Sequence, residues 1–202
     1  MSTVIEPDRI AKLPKDKRGY PIPWNVTRDA DGEPLFTVNN DHKHWQALRE
    51  ALCPICGETL EATAVWIGGP QSAFHPKGTY FDLPAHCECA HYALQVCPYL
   101  AARHWTEGRV TVPKNAKLPE GTIFVDHTQI PGRPQLLVAV FATAMTVQLN
   151  EPPMLPYNCP VKPVLRYEFW RDGEQIPAHR AMPVLRGIFG ADFQLPATQL
   201  SL

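Results

Sequence analysis

Apolar positions in this chain come in short runs broken by prolines, and the spacing within each run decides which element it predicts. Residues 1–19 scatter Pro7, Pro14, Lys12, Lys15, Lys17 and Arg18 with little periodicity, the pattern of an exposed, flexible N-terminal arm. Between Tyr20 and Trp24 the prolines fall on alternate positions, Pro21 and Pro23. That suits an extended or edge segment, because proline cannot donate to a central ladder. Asp31-Gly32 separates Trp24–Thr27 from Leu35–Val38, and an Asp-Gly pair between two apolar runs predicts a β-hairpin. From Asp41 the period lengthens: Trp45, Leu48 and Leu52 recur at three and four, the face of a short helix capped by Asn40 or Asp41.

Ala62 to Ile67 is apolar and partly β-branched and predicts a strand. Thr79–Leu83 is its expected hairpin partner across Gly68-Gly69-Pro70, read as a turn with no helix after it, and the loop beyond. Pro84 suits the first turn of a second helix, capped by Asp82 or Leu83, and Cys89, Ala93, Val96, Cys97 and Leu100 line up on one face of it. Further on, Thr122–Val125 and the long run Leu136–Leu149 predict buried strands. Glu151–Pro163 carries prolines at 152, 153, 156, 160 and 163 and predicts an extended connector. Val164–Trp170 alternates as a strand, Arg171-Asp172-Gly173-Glu174 is a turn, and a closing helix is expected from Met182-Pro183 to Gly190. The sum is an α+β fold in three regions: the arm over 1–19, a hairpin, helix and metal-binding region over 20–105, and a β-rich C-terminal region over 106–202 packed on it.

Composition supports a folded core and narrows the partners. With 202 residues, 45% hydrophobic and 19% charged, the chain has the make-up of an ordinary globular protein. A net charge of -1 gives no global attraction to a polyanion, so contact with nucleic acid would need a local patch such as Lys12, Lys15, Lys17 and Arg18. No apolar h-region opens the chain and no run approaches the roughly 18 apolar residues of a membrane span, so a cytoplasmic protein without a membrane partner is expected. In that setting six cysteines, the first two spaced C-x-x-C, point to metal rather than disulfides.

The candidate chemistry lies in Cys53-Pro-Ile-Cys56-Gly57 and His86-Cys87-Glu88-Cys89. Two short chelating pairs, well separated in sequence, suit the closed tetrahedral site of structural zinc, with Cys53, Cys56, His86 and Cys89 as ligands. Gly57 permits the tight turn of a zinc knuckle. Knuckle, hairpin and a helix whose first turn supplies the second pair are the order of a treble-clef zinc finger. Cys87 is the alternative ligand, although residues two apart do not share a helical face. His91 reads as a surface histidine, and Cys97 and Cys159 as buried small hydrophobes. A histidine in the set favours zinc over an iron–sulfur cluster.

Arg18-Gly19-Tyr20-Pro21-Ile22-Pro23-Trp24, Cys53-x-x-Cys56-Gly57, His86-x-x-Cys89 and Cys97-Pro98-Tyr99-Leu100, in that order, resemble a group of uncharacterised bacteriophage and prophage proteins. The similarity covers about residues 18–100, with a weaker echo at Trp170-Arg-Asp-Gly173. It implies His86 rather than Cys87 as ligand, a bacterial or phage cytosolic setting and a host-interaction role.

An enzyme reading would be an HNH-like treble-clef nuclease with His75 as general base. However, the neighbouring ligand pair that metal-assisted hydrolysis needs is missing from Phe74-His75-Pro76. Asp126-His127 and Asp41-His42-Lys43-His44 are better explained by a surface contact and by helix capping. The expectation is therefore a non-enzymatic zinc protein that binds a host or phage protein, with nucleic acid as the other candidate partner. The aromatic surface around Trp24, Tyr157 and Trp170 is a possible contact region.

Overall fold

The computed structural model describes residues 4–101, 134–148 and 156–199. A short helix α1 (Asp8–Ala11) precedes a hairpin of β1 (Val26–Arg28) and β2 (Pro34–Asn39), followed by helix α2 (Asp41–Glu50). Strand β3 (Ala64–Gly68) and the short helix α3 (Pro70–Phe74) lead to α4 (Cys87–Val96) and α5 (Pro98–Ala101). Strands β4 (Leu137–Ala142), β5 (Met145–Gln148), β6 (Tyr157–Pro160), β7 (Arg166–Arg171) and β8 (Glu174–Ile176) precede the closing helix α6 (Ala178–Phe189). The architecture is mixed α+β. A four-stranded antiparallel sheet in the order β3-β4-β7-β8 is accompanied by two-stranded sheets of β1-β2 and β5-β6.

Strand β4 organises the core. All six of its residues are buried, which explains a sequence run without polar alternation. Successive side chains point to opposite faces. Val138, Val140 and Ala142 join Trp66, Phe74, Phe169, Ala181 and Leu185 on one face, under α3 and α6. Leu137, Ala139 and Phe141 join Val65, Ala90, Leu94 and Trp170 on the other, under α4.

Several local expectations hold. The hairpin turns at Asp29–Gly32, where Gly32 has φ 83 and the Asp29 carboxylate accepts from the backbone N–H groups of Asp31 and Glu33. Asn40 caps α2 by accepting from the Lys43 N–H at 3.0 Å. The Arg171–Glu174 turn joins β7 to β8 through Asp172 and Gly173, both with positive φ.

Other expectations need correction. The first 19 residues are not a loose arm: α1 occupies part of them, and Ile10, only 1% exposed, packs into the core beside α4. The buried face of α2 is formed by His44 and Ala47 rather than by Trp45 and Leu48. Thr79–Leu83 does not pair with β3; a single bridge, Val65 to Ala85, remains of that hairpin, and β3 instead pairs over five residues with β4. The all-apolar β4 covers β3 along its length, whereas the segment ending in Leu83-Pro84 meets it at one position. Gly68-Gly69-Pro70 does lead into a helix, with Gly69 as N-cap and Pro70 opening α3.

The helix expected to run on to Leu100 stops at Cys97 before Pro98. Within the expected connector, Tyr157–Pro160 forms β6 against β5. The closing helix begins at Ala178, so Pro183 lies inside it rather than at its start. Thr122–Val125 lies outside the described residues.

Asn158 of β6 joins these parts. It is buried, accepts from Trp66 Nε1 at 2.7 Å and donates to the carbonyl oxygens of Tyr80 and Asp82. Its backbone also bridges Tyr80 in both directions at 2.8 Å. Asn158→Ala strands the buried indole N–H and two carbonyls, so chemical denaturation should report a loss of about 2–4 kcal/mol.

Candidate metal centre

Two structural units deliver the candidate ligands. The first begins where α2 ends at Ala51, which takes a left-handed conformation, φ 51 and ψ 51, and turns the chain toward Cys53. The Cys53 N–H then donates to Glu58 O and the Gly57 N–H to Cys53 O, both at 2.8 Å, closing a tight loop around the two cysteines. Gly57 is required there twice over. Its φ is 78, and a Cβ would stand 2.6 Å from the indole of Trp24. The second unit is the start of α4, where His86 is the N-cap and Cys89 lies in the first turn. The hydrogen bonds between Val65 and Ala85 fix the residue just before His86 to the central sheet.

These units bring Cys53, Cys56, His86 and Cys89 together, with one ligand atom from each within 4.8 Å of all the others. Cys53, His86 and Cys89 are buried and Cys56 is half-buried. Cys56 Sγ lies 3.3 Å from His86 Nδ1. Around a single tetrahedral ion with metal–sulfur and metal–nitrogen bonds of about 2.3 and 2.0 Å, ligand atoms stand roughly 3.5–3.8 Å apart. The group therefore has the dimensions to hold a metal ion.

His86 Nε2 lies 2.9 Å from Thr59 O and 2.7 Å from Arg9 Nη1. One nitrogen cannot donate to the carbonyl and accept from the guanidinium together. The Arg9 contact calls for a bare Nε2 and the Thr59 contact for a hydrogen there. A metal ion on Nδ1 would require the second, with Nε2–H donating to the Thr59 carbonyl as the outer support of a ligating histidine. Hydrogen bonds from Cys56 and Cys89 pull the Cys53 thiol well down against the burial that pushes it up. Hydrogen bonding to Cys53 and Cys56, together with burial, pushes Cys89 up. A dication among the sulfurs would remove this competition by favouring all the thiolates at once.

Arg9 of α1 caps the centre from outside. Its Nε lies 2.8 Å from Glu88 and 3.6 Å from Glu58, and Nη2 pairs with Glu61. One guanidinium thus ties α1 to both ligand-bearing units. Nothing in the sequence pattern singled out this residue, since an isolated arginine in a polar segment carries no periodic signal.

Cys87 is not brought into the group. Its sulfur lies 4.0 Å from His91 Nδ1, one helical turn along α4. His91 is more engaged than a surface histidine. It is 31% exposed, its Nε2 is 2.7 Å from Glu168 Oε2, and its ring lies against those of Phe141 and Trp170. Glu168 also pairs with Arg166 at 3.0 Å. The i, i+4 spacing of Cys87 and His91 was the available sequence signal. Cys97 and Cys159 are half-buried rather than fully buried, and Cys159 Sγ contacts Thr146 Oγ1 at 3.0 Å.

The remaining candidates are dispersed. His75 is exposed, and its Nδ1 accepts from the Lys77 N–H at 3.1 Å. His44 is buried against Phe81. Asp41 opens α2, and Asp126-His127 lies outside the described residues. The basic cluster of the N-terminal segment is partly neutralised, Lys15 by Glu6 and Arg18 by Asp16. Trp170 is buried and offers no contact surface. No helix among the described residues is long and apolar enough to cross a membrane. Comparison with protein-family models, curated proteins and solved structures finds no match.

Two outcomes check this description. Cys89→Ser should abolish stoichiometric metal uptake while Cys87→Ser retains it, as read by elemental analysis of the purified variants. Burial raises the Glu168 carboxyl, but hydrogen bonds and charge from His91 and Arg166 outweigh it and leave the group below its usual 4.5. A depressed carboxylate stabilises the fold above its unfolded value and loses that contribution as pH falls. Glu168→Gln should therefore cost about 1–2 kcal/mol at neutral pH. Denaturation at a series of pH values should show the gap from the parent closing below 4.5.

Proposed function

We propose that Cys53, Cys56, His86 and Cys89 hold one structural zinc ion in a treble-clef-like setting, and that the chain is a non-enzymatic binding module of phage or prophage type. The observation that carries the zinc reading is the donor set itself. Three sulfurs and one imidazole nitrogen converge in a largely buried place. Soft thiolates with imidazole suit zinc, and four protein donors describe a closed site rather than one that keeps a position for substrate. A knuckle followed by a ligand-bearing helix N-terminus supports the treble-clef comparison. The arrangement departs from that pattern where β3 takes β4, not Thr79–Leu83, as its partner.

The setting rests on the shared motifs between residues 18 and 100, which favour a host or phage protein as partner in the bacterial cytoplasm. Near-zero net charge and the pairing of Lys15 and Arg18 with acids favour protein over nucleic acid. An HNH-like nuclease finds less support, because His75 stands apart from the ligand group and its ring nitrogen is used in a local turn.

Elemental analysis of the purified chain should give one zinc per chain, and strong chelation should lower the melting temperature and release the N-terminal half from its fold. A metal-free chain with an unchanged melting transition, or disulfides among these cysteines, would overturn the zinc reading. Duplex DNA binding that is tight and falls steeply with salt would replace the protein partner by a nucleic acid.

A further inference from the structure

We propose that the cleft between the N-terminal segment, the β1-β2 hairpin and α4-α5 binds a small organic cation, an ammonium or guanidinium group carried on an apolar body of aromatic size. The inference deepens the binding-module reading and rests on it, since the knuckle and α4 form part of the cleft wall. The cleft has a volume of about 520 Å³. That lies within the roughly 300–1,000 Å³ of small-ligand sites, which are mostly apolar with a few placed polar groups. Its floor contains Ile10, Val65 and Leu83, all buried, while Tyr20 and Tyr99, 39% and 42% exposed, stand at its rim.

The polar lining decides the charge of the ligand. Arg18 is already engaged: its Nε lies 2.7 Å from Asp16 Oδ2, and its guanidinium lies over the rings of Tyr20 and Phe36. Elsewhere in the lining Asn25 Nδ2 donates to Asn39 Oδ1 at 3.2 Å, and Asn39 Nδ2 donates to Asp82 Oδ1 at 3.0 Å. The carboxylate sets the sense of this relay, because a reversed Asn39 amide would point oxygen at oxygen. Each amide gives one N–H to this relay, which ends on the Asp82 carboxylate in the cleft lining. Asp82 has no salt bridge among the described residues. The titratable neighbours do not supply the missing positive charge. Burial holds the His44 imidazole below its usual value against the pull of Asp82 and Asp41, and burial pushes the Cys97 thiol up. A ligand with an anionic head would meet Asp82 and an arginine already paired, whereas a cationic head completes the carboxylate.

The test uses the full chain with its metal and three probes sharing one body: 4-phenylbutylammonium, 4-phenylbutanol and 4-phenylbutyrate. Titrations followed by calorimetry and by the side-chain amide resonances of Asn25 and Asn39 should show saturable one-site binding, with the ammonium preferred. An exposed ion pair is worth up to about 1 kcal/mol, so the ammonium should exceed the alcohol by about three- to fivefold and the carboxylate by about tenfold. Asp82→Asn keeps an acceptor for Asn39 and should level the three probes while leaving the melting temperature unchanged. Equal or tighter binding of the carboxylate, a preference surviving in Asp82→Asn, or no saturable binding of any probe would overturn the assignment.

Metal content measured on the same sample separates the two readings. A folded, zinc-bearing chain without the ammonium preference removes the cleft proposal alone. A folded, metal-free chain that retains the preference supports the cleft and removes the zinc reading alone.

Discussion

Three thiols held beside one another and an imidazole, largely away from water, form an arrangement that could hold a metal ion. Without one, the sulfurs compete for protons: Cys53 is driven toward thiolate while Cys89 is driven the other way. Bringing all three to the charged state in this space without a counter-charge would cost several kcal/mol, because burial penalises each anion and the anions repel one another. A bound cation would relieve that cost and so link folding to metal binding. The convergence joins the loop that leaves α2 to the first turn of α4, and Arg9 adds α1 through Glu58, Glu61 and Glu88.

The same centre is set relative to the sheet by one residue pair. Val65 exchanges both backbone hydrogen bonds with Ala85, and His86 follows at once. Val65 is also paired with Phe141 of β4, whose own position is fixed by β7 on its other side. A slip of one residue in β3 would turn Trp66 out of its cluster and Val65 out of the other. It would also displace the backbone that presents His86. Burial of β4 on both faces makes such a slip expensive, so the packing of a distant strand helps to place a candidate ligand.

The four candidate ligands were legible because their constraints are local. Gly57 follows the second cysteine where the chain needs a positive φ, and His86 and Cys89 occupy the cap and first turn of one helix. The hairpin at Asp31-Gly32, the Asn40 cap and the Asp172-Gly173 turn were legible for the same reason. What escaped was non-local. Nothing within Ala64–Gly68 says that its partner is Leu137–Ala142 rather than the nearer Thr79–Leu83; the choice depends on which segment covers more apolar surface. The burial of Ile10 depends on the surface beneath it, and a single apolar residue in a polar stretch has no period to reveal it. The inward face of α2 was likewise set by its neighbours, which take His44 and Ala47 and leave Trp45 half-covered.

Trp24 shows how a motif that suggests recognition can have a structural cause. Its backbone N–H donates to Ile55 O at 2.8 Å, its indole occupies the space a side chain at position 57 would need, and Lys43 lies over its ring while donating to its backbone carbonyl. Ile22, two residues earlier, is buried, and the Ile22 N–H is held by Pro14 O. Pro21 and Pro23 restrict the chain to an extended course between these anchors. The Tyr20–Trp24 segment is thus a brace against the cysteine loop, and Trp24 and Gly57 are coupled by contact: the small residue leaves the space that the large one fills. Tyr20, at the outer end of the brace, is 39% exposed, carries the Arg18 guanidinium over its ring and lines the cleft with Tyr99. Exposed aromatic surface therefore adjoins the cleft, while the tryptophan beside it is committed to packing.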